Sequence, residues 1–64
     1  MSNITQKETN LINRQLNLEQ LLISKYKYYS SLCNDPQIKA KCEEFCAKHQ
    51  EHYDKLDKLN RGEK

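Results

Sequence analysis

The sequence predicts an all-α protein, an antiparallel hairpin of two long helices that dimerises into a four-helix bundle. Three observations lead to this fold class. The 64 residues include a single Gly and a single Pro, too few for the turns of a small barrel or sandwich. Helix breakers cluster at only three places, and the apolar residues between them recur with helical spacing. Charged residues make up 31% of the chain, which is typical of exposed helix faces.

The first helix is predicted over about residues 5–33. Thr5 and Glu8 have the spacing of a capping box, in which each side chain accepts a hydrogen bond from the other residue's backbone N–H. The predicted turn at residues 34–35 is so short that the following helix must return antiparallel to the first. Residues 1–64 are therefore expected to form one helical-hairpin domain.

The second helix is predicted over about residues 36–60. Asp35 is a favourable N-cap, and Pro36 is well suited to the first helical position because its missing N–H has no partner there. Gly62 can adopt the left-handed conformation that ends a helix.

Each helix carries a stripe predicted to face the other helix, with steps that alternate between three and four residues. On helix 1 the stripe is Ile12, Leu16, Glu19, Ile23, Tyr26, Ser30 and Cys33. On helix 2 it is Ile38, Cys42, Phe45, His49, His52, Leu56 and Leu59. A flank beside the stripe of helix 1 consists of Leu11, Leu18, Leu22 and Tyr29. Two helices alone leave this flank in water, so we expect a homodimer that buries it.

Three residues with metal-ligating side chains interrupt the apolar stripes: Glu19, His49 and His52. In a hairpin that turns near residues 34 and 35, facing residue numbers sum to about 69, so these three are expected at one height. Two imidazoles three residues apart on a helix can share one ion, and a buried carboxylate needs a partner. The sequence thus predicts a candidate site for Zn²⁺, Fe²⁺ or Mn²⁺.

A second interpretation of the same residues stays open. Glu19 could form a buried polar pair with either histidine that fixes the register of the helices without a metal. The cysteines Cys33, Cys42 and Cys46 are an odd number in a chain without an export signal, so we expect reduced thiols. Cys42 and Cys46 are interpreted as small core residues, and the three thiols receive no assigned role.

Several classes of function are disfavoured by composition and motifs. The net charge of +2 does not favour nucleic acid or a membrane surface as a partner. The longest apolar run, residues 21–23, is too short for a membrane span or signal peptide, so we expect a cytoplasmic protein. The sequence has no glycine-rich phosphate loop, no nucleophile paired with a base and no Cys-x-x-Cys, so no catalytic or cofactor-binding residue is predicted.

Short motifs along nearly the whole chain resemble the small clostridial spore coat proteins of the coat F type, half-size members of the ferritin-like group that also contains the rubrerythrins. The motifs are Gln6-Lys7-Glu8, Leu18-Glu19-Gln20-Leu21, Lys25-Tyr26, Asp35-Pro36-Gln37-Ile38-Lys39 and His49-Gln50-Glu51-His52-Tyr53. The resemblance implies a ferritin-like hairpin, a role in sporulation at or near the spore coat, other coat proteins as partners, and no established enzymatic activity.

Ferritin-like iron proteins take a Glu from one helix and Glu-x-x-His from its partner. The resemblance aligns Glu19 with the first position and His52 with the last, whereas position 49 is His instead of Glu. The loss of that carboxylate disfavours a di-iron oxidase centre. We therefore expect a non-enzymatic structural or assembly protein. The alternatives are a metal-binding protein with weak oxidoreductase activity, and a helical adaptor that binds a partner helix through the apolar flank.

Overall fold

The computed structural model describes residues 5–62, which form two helices and no strand. Helix α1 covers Gln6–Leu32 and helix α2 covers Pro36–Asn60, joined by residues 33–35. The predicted bounds lie within one residue of the observed ones. After α2 the backbone turns at Gly62, whose φ of 77° is in the left-handed region that glycine adopts without strain.

The beginnings of both helices are fixed by the predicted side-chain caps. The hydroxyl of Thr5 accepts from the N–H of Glu8 at 3.1 Å, and the Glu8 carboxylate accepts from the N–H of Thr5 at 3.0 Å. At the start of α2, Asp35 Oδ1 accepts from the N–H groups of Gln37 at 2.8 Å and Ile38 at 3.3 Å. Each cap satisfies backbone donors that have no partner within the helix.

The stripe of α1 that faces α2 is the one predicted. Four of its members are buried, namely Leu16, Glu19, Ile23 and Ser30. The other three are half-buried: Ile12, Tyr26 and Cys33. The alternation of three- and four-residue steps therefore identifies the inner face of α1 correctly.

The stripe of α2 differs from the prediction. The residues that turn towards α1 are Cys42, Cys46, His49, Tyr53, Leu56 and Asn60. Four predicted members are instead exposed: Ile38, Phe45, His52 and Leu59. The observed stripe is stabilised by contacts across the helices: Cys46 Sγ donates to the Ile23 carbonyl at 3.3 Å, Gln20 donates to the Tyr53 hydroxyl at 3.3 Å, and Asn60 donates to Asn13 at 3.2 Å. Polar partners across the interface make these positions compatible with burial.

Six of the nine exposed large apolar residues among residues 5–62 lie on one broad side of the hairpin. On α1, Leu11 and Leu18 each precede an interface residue by one position, and on α2 Phe45 and Leu59 do the same. The same offset on two antiparallel helices lies on the same side of the pair. We call this the apolar side: Leu11, Leu18, Leu22, Tyr29, Ile38, Phe45, His52 and Leu59.

The opposite side consists of residues that follow an interface position by one. We call it the polar side: Asn13, Gln20, Lys27, Glu43, Gln50 and Asp57. The Cα atoms span 46 × 19 × 10 Å, so the hairpin is a rod one helix layer thick. Its buried apolar interior within residues 5–62 is limited to Leu16, Ile23 and Cys42.

Candidate metal site

A carboxylate lies in the middle of the helix–helix interface. Glu19 is the central residue of α1 and is 5% exposed, with the buried apolar side chains of Leu16 and Ile23 one turn away on either side. A carboxylate in such surroundings is costly unless its oxygens are bound by hydrogen-bond donors, cations or a metal.

Both carboxylate oxygens of Glu19 have partners. His49 Nδ1 lies 2.6 Å from Oε1, a short contact of the kind made when a partner is charged. Gln15 Nε2 donates to Oε2 at 3.1 Å, and His52 Nδ1 lies 3.6 Å from the same oxygen. The register predicted from the turn is therefore correct, since α1 and α2 bring these three metal-ligating side chains to one height.

The surroundings of Glu19 favour its ionised form. Burial raises the pKa of Glu19, whereas the hydrogen bonds from Gln15 and His49 and the attraction to the protonated forms of His49 and His52 lower it by more. The net pKa lies below the ordinary value of 4.5. Glu19 is therefore an anion at neutral pH, as both an ion pair and a metal site require.

The two histidines differ in burial, contrary to the expectation that both lie inside. His49 is 24% exposed and its ring stacks on Tyr26, with centroids 5.8 Å apart and an interplanar angle of 6°. His52 is 54% exposed because it precedes the interface residue Tyr53 by one position and therefore lies on the apolar side. The Tyr26 ring thus orients His49, while His52 contacts Glu19 and lies with its ring nearly perpendicular to the His49 ring.

Glu19, His49 and His52 form a cluster in which each residue offers one ligand atom, and these atoms all lie within 4.8 Å of one another. A tetrahedral ion with bonds near 2.1 Å holds its ligand atoms about 3.4 Å apart, and the ligand atoms of Glu19, His49 and His52 lie near this spacing. The N,N,O set fits a single Zn²⁺ or Fe²⁺ ion. It lacks the second carboxylate that bridges two irons in ferritin-like sites.

The cysteines do not join this group within the described residues. All three are free thiols, and Cys46 is directed at the Ile23 carbonyl instead of Glu19. Cys42 is buried, in line with its interpretation as a small core residue. Two supporting residues, Gln15 and Tyr26, were not assigned to the site from sequence. The four-residue spacing of Gln15 and Glu19 was an available signal for the first.

Comparison of the chain with models of protein families, with curated proteins and with solved structures finds no match. Neither α1 nor α2 contains an apolar stretch long enough to cross a membrane. The fold and the site define a helical hairpin with an internal carboxylate–imidazole cluster. The resemblance to coat F-type proteins stays a prediction.

Proposed function

We propose that this chain is a non-enzymatic structural protein that acts as a homodimeric four-helix bundle. One observation carries the proposal: a rod one helix thick leaves its apolar side uncovered. Among residues 5–62, nine large apolar side chains are more than 40% exposed, six of them on the apolar side, and no side chain is fully buried. Full burial of one Leu or Phe side chain contributes about 1.5–3 kcal/mol, so a second hairpin on this side gains considerable stability.

The accessible surface supports association with a second copy. The chain exposes 5124 Å², whereas a compact monomer of its mass exposes about 4,300 Å². The excess of about 800 Å² reflects the elongated shape of the hairpin, which leaves one side of the helix pair without a covering layer. A twofold dimer through the apolar side places two hairpin layers face to face and yields four packed helices.

Sedimentation equilibrium at tens of micromolar tests this proposal. We expect twice the chain mass of 7.6 kDa for the wild type. Leu18→Glu places a charge on the apolar side and should give monomers, because a buried unpaired carboxylate opposes association. Asn17→Glu introduces the same charge at an exposed neighbour outside the apolar side and should remain dimeric. A wild-type chain that is helical and monomeric at these concentrations would falsify the proposal.

We further propose that the bundle acts in or near the spore coat, alongside other coat proteins. The support is the resemblance of the motifs to coat F-type proteins. Fractionation of sporulating cells, followed with an antibody against the chain, tests it. We expect the chain in coat extracts of mature spores. Equal amounts in growing cells, with none in the coat fraction, would count against this location.

A second candidate function is metal binding by Glu19, His49 and His52, favoured by the spacing of their ligand atoms within 4.8 Å. A bound ion would replace the His49–Glu19 hydrogen bond and neutralise the buried carboxylate. It would supply Lewis acidity or, for iron, redox chemistry. The chain's own part is to orient the ligands, through Tyr26 on His49 and Gln15 on Glu19.

Elemental analysis and Zn²⁺ titration of the protein without a His-tag test the second candidate. We expect about one ion per chain, and His49→Ala or His52→Ala should each weaken binding roughly 10-fold or more. Gln50→Ala removes a polar side chain outside the cluster and should bind as the wild type does. Absence of stoichiometric binding, together with no thermal shift on addition of Zn²⁺ or Fe²⁺, would exclude this function.

A further inference from the structure

His52 belongs to both surfaces on which the proposed functions rest. Its Nδ1 lies 3.6 Å from Glu19 Oε2, which makes it a member of the candidate metal site. Its side chain is 54% exposed on the apolar side, to which Phe45 and Leu59 of the same helix also belong. A second copy seated on the apolar side would therefore cover one ligand of the metal site.

The cluster also lies at the centre of the rod. Glu19 is the middle residue of the 27-residue α1, and His49 is adjacent to the middle of the 25-residue α2. Two hairpins related by a twofold axis bury the most surface when they overlap along their whole length, which puts the axis at mid-length. Both copies of the cluster then lie at the same height, on opposite sides of the axis.

We propose that metal binding at Glu19, His49 and His52 and homodimerisation are coupled, so that a divalent transition-metal ion tightens the dimer. This inference rests on both proposed functions. Transfer of His52 from water into an interface costs free energy unless its ring nitrogens are bound, and a metal ion binds one of them. The protein supplies three ligands, and the side of His52 that is open to water in the single chain faces the partner.

The coupling is reciprocal. If saturation with the ion strengthens association by some factor, association strengthens the combined binding of the two ions, one per chain, by the same factor. A second copy on the apolar side would restrict His52, which is 54% exposed in the single chain and contacts Glu19 and His49 there. An ordered ligand loses less entropy on binding the ion, so the dimer is the tighter metal binder.

Sedimentation of the untagged chain with ZnCl₂, and with EDTA in its place, tests the coupling at constant ionic strength. We expect Zn²⁺ to lower the dimer dissociation constant by about 10-fold or more, within the usual range of such couplings, and EDTA to reverse the change. The dimer dissociation constants of His52→Ala in Zn²⁺ and in EDTA should be equal to each other, while Gln50→Ala should respond to Zn²⁺ as the wild type does. The Co²⁺-loaded protein should lack the charge-transfer absorption of thiolate ligands, which excludes the cysteines as the cause.

The possible outcomes separate this inference from the functions beneath it. A dimer whose dissociation constant is the same with Zn²⁺ and EDTA overturns the coupling and leaves the structural proposal intact. Equal tightening of wild type and His52→Ala overturns it too, because the ion then acts elsewhere. A chain that is monomeric under both conditions contradicts the homodimer proposal itself.

Discussion

The polar and apolar sides of the hairpin flank the same helix–helix interface but differ in the side chains that they expose to water. Hydrogen bonds between uncharged polar side chains of the two helices lie on the polar side. There, Gln20 donates to Tyr53 and Asn60 donates to Asn13 across the helices. On the apolar side, the ring centroids of Phe45 and Tyr26 lie 5.4 Å apart and His52 contacts Glu19. Leu11, Leu18 and Leu59 nevertheless stay exposed there. Side chains that water can solvate need no second layer, whereas apolar ones gain free energy from it.

The largest expected effect is the loss of unfolding free energy when an interior leucine is replaced, compared with a leucine of the apolar side. Leu16 is 8% exposed and Leu18 is 45% exposed. Leu16→Ala leaves a cavity between the helices and should lower the free energy of unfolding by about 2–5 kcal/mol at any protein concentration. Leu18→Ala should cost less, and its cost should grow with concentration because it is incurred on association. Urea unfolding followed by circular dichroism at two concentrations measures both, and a concentration-independent loss for Leu18→Ala would contradict the comparison.

Acid is expected to lower the stability of the hairpin by a smaller amount, through protonation of Glu19 in the interface between the two sides. Its pKa is lower in the folded chain than its ordinary value of 4.5, so the folded chain binds this proton less readily than the unfolded chain. The stability from ionised Glu19 is complete above the unfolded pKa and is lost as the pH falls through the folded pKa. The urea midpoint of metal-free protein should fall over this acidic range.

Two variants assign that acid dependence to its source. The pKa of Glu8 is also lowered, by its backbone and side-chain hydrogen bonds with Thr5. Protonation of Glu8 in the first turn of α1 therefore also lowers the stability of the folded chain in acid. Glu8→Gln removes that part, and Glu19→Gln removes the part at the interface. An acid dependence that is unchanged in Glu19→Gln would mean that the buried carboxylate is not its source.

The cap of α1 lies at the end of the rod and should affect neither side in particular. Thr5→Ala removes the acceptor for the Glu8 N–H and should cost about 1 kcal/mol of unfolding free energy. Thr5→Ser keeps the hydroxyl and should retain most of the stability. Because the cap takes no part in association, sedimentation of both variants should match the wild type, and a change in mass would place the interface nearer the helix end.

Much of the fold follows from local signals in the sequence. The caps at Thr5 and Asp35 fix where the helices begin, because backbone donors there need partners regardless of tertiary context. The short linker fixes the register, and with it the meeting of Glu19 with His49 and His52. These features depend on neighbours along the chain and on one turn.

The inner stripe of α2 could not be predicted in the same way. Two stripes with the same helical period share Cys42, His49 and Leu56, and counting apolar residues favours the wrong one. The predicted stripe adds Phe45, His52 and Leu59, and the observed stripe adds the residue after each: Cys46, Tyr53 and Asn60. The structure selects the second because Cys46, Tyr53 and Asn60 find polar partners on α1. That choice also puts His52 at the edge of the interface, and no pattern within α2 alone contains this information.

The smallest effects are expected on the polar side, and they test whether it is solvent-exposed in the dimer. Tyr53→Phe removes the acceptor for Gln20 in a hydrogen bond that is exposed to water, and it should lower the free energy of unfolding by at most about 0.5 kcal/mol. Ser24→Glu adds a charge beside Gln20 and Tyr53, around the same shallow depression, and should leave the mass and the Zn²⁺ response unchanged. If Ser24→Glu gives monomers while Leu18→Glu stays dimeric, the two sides have exchanged roles and the second copy binds the polar side.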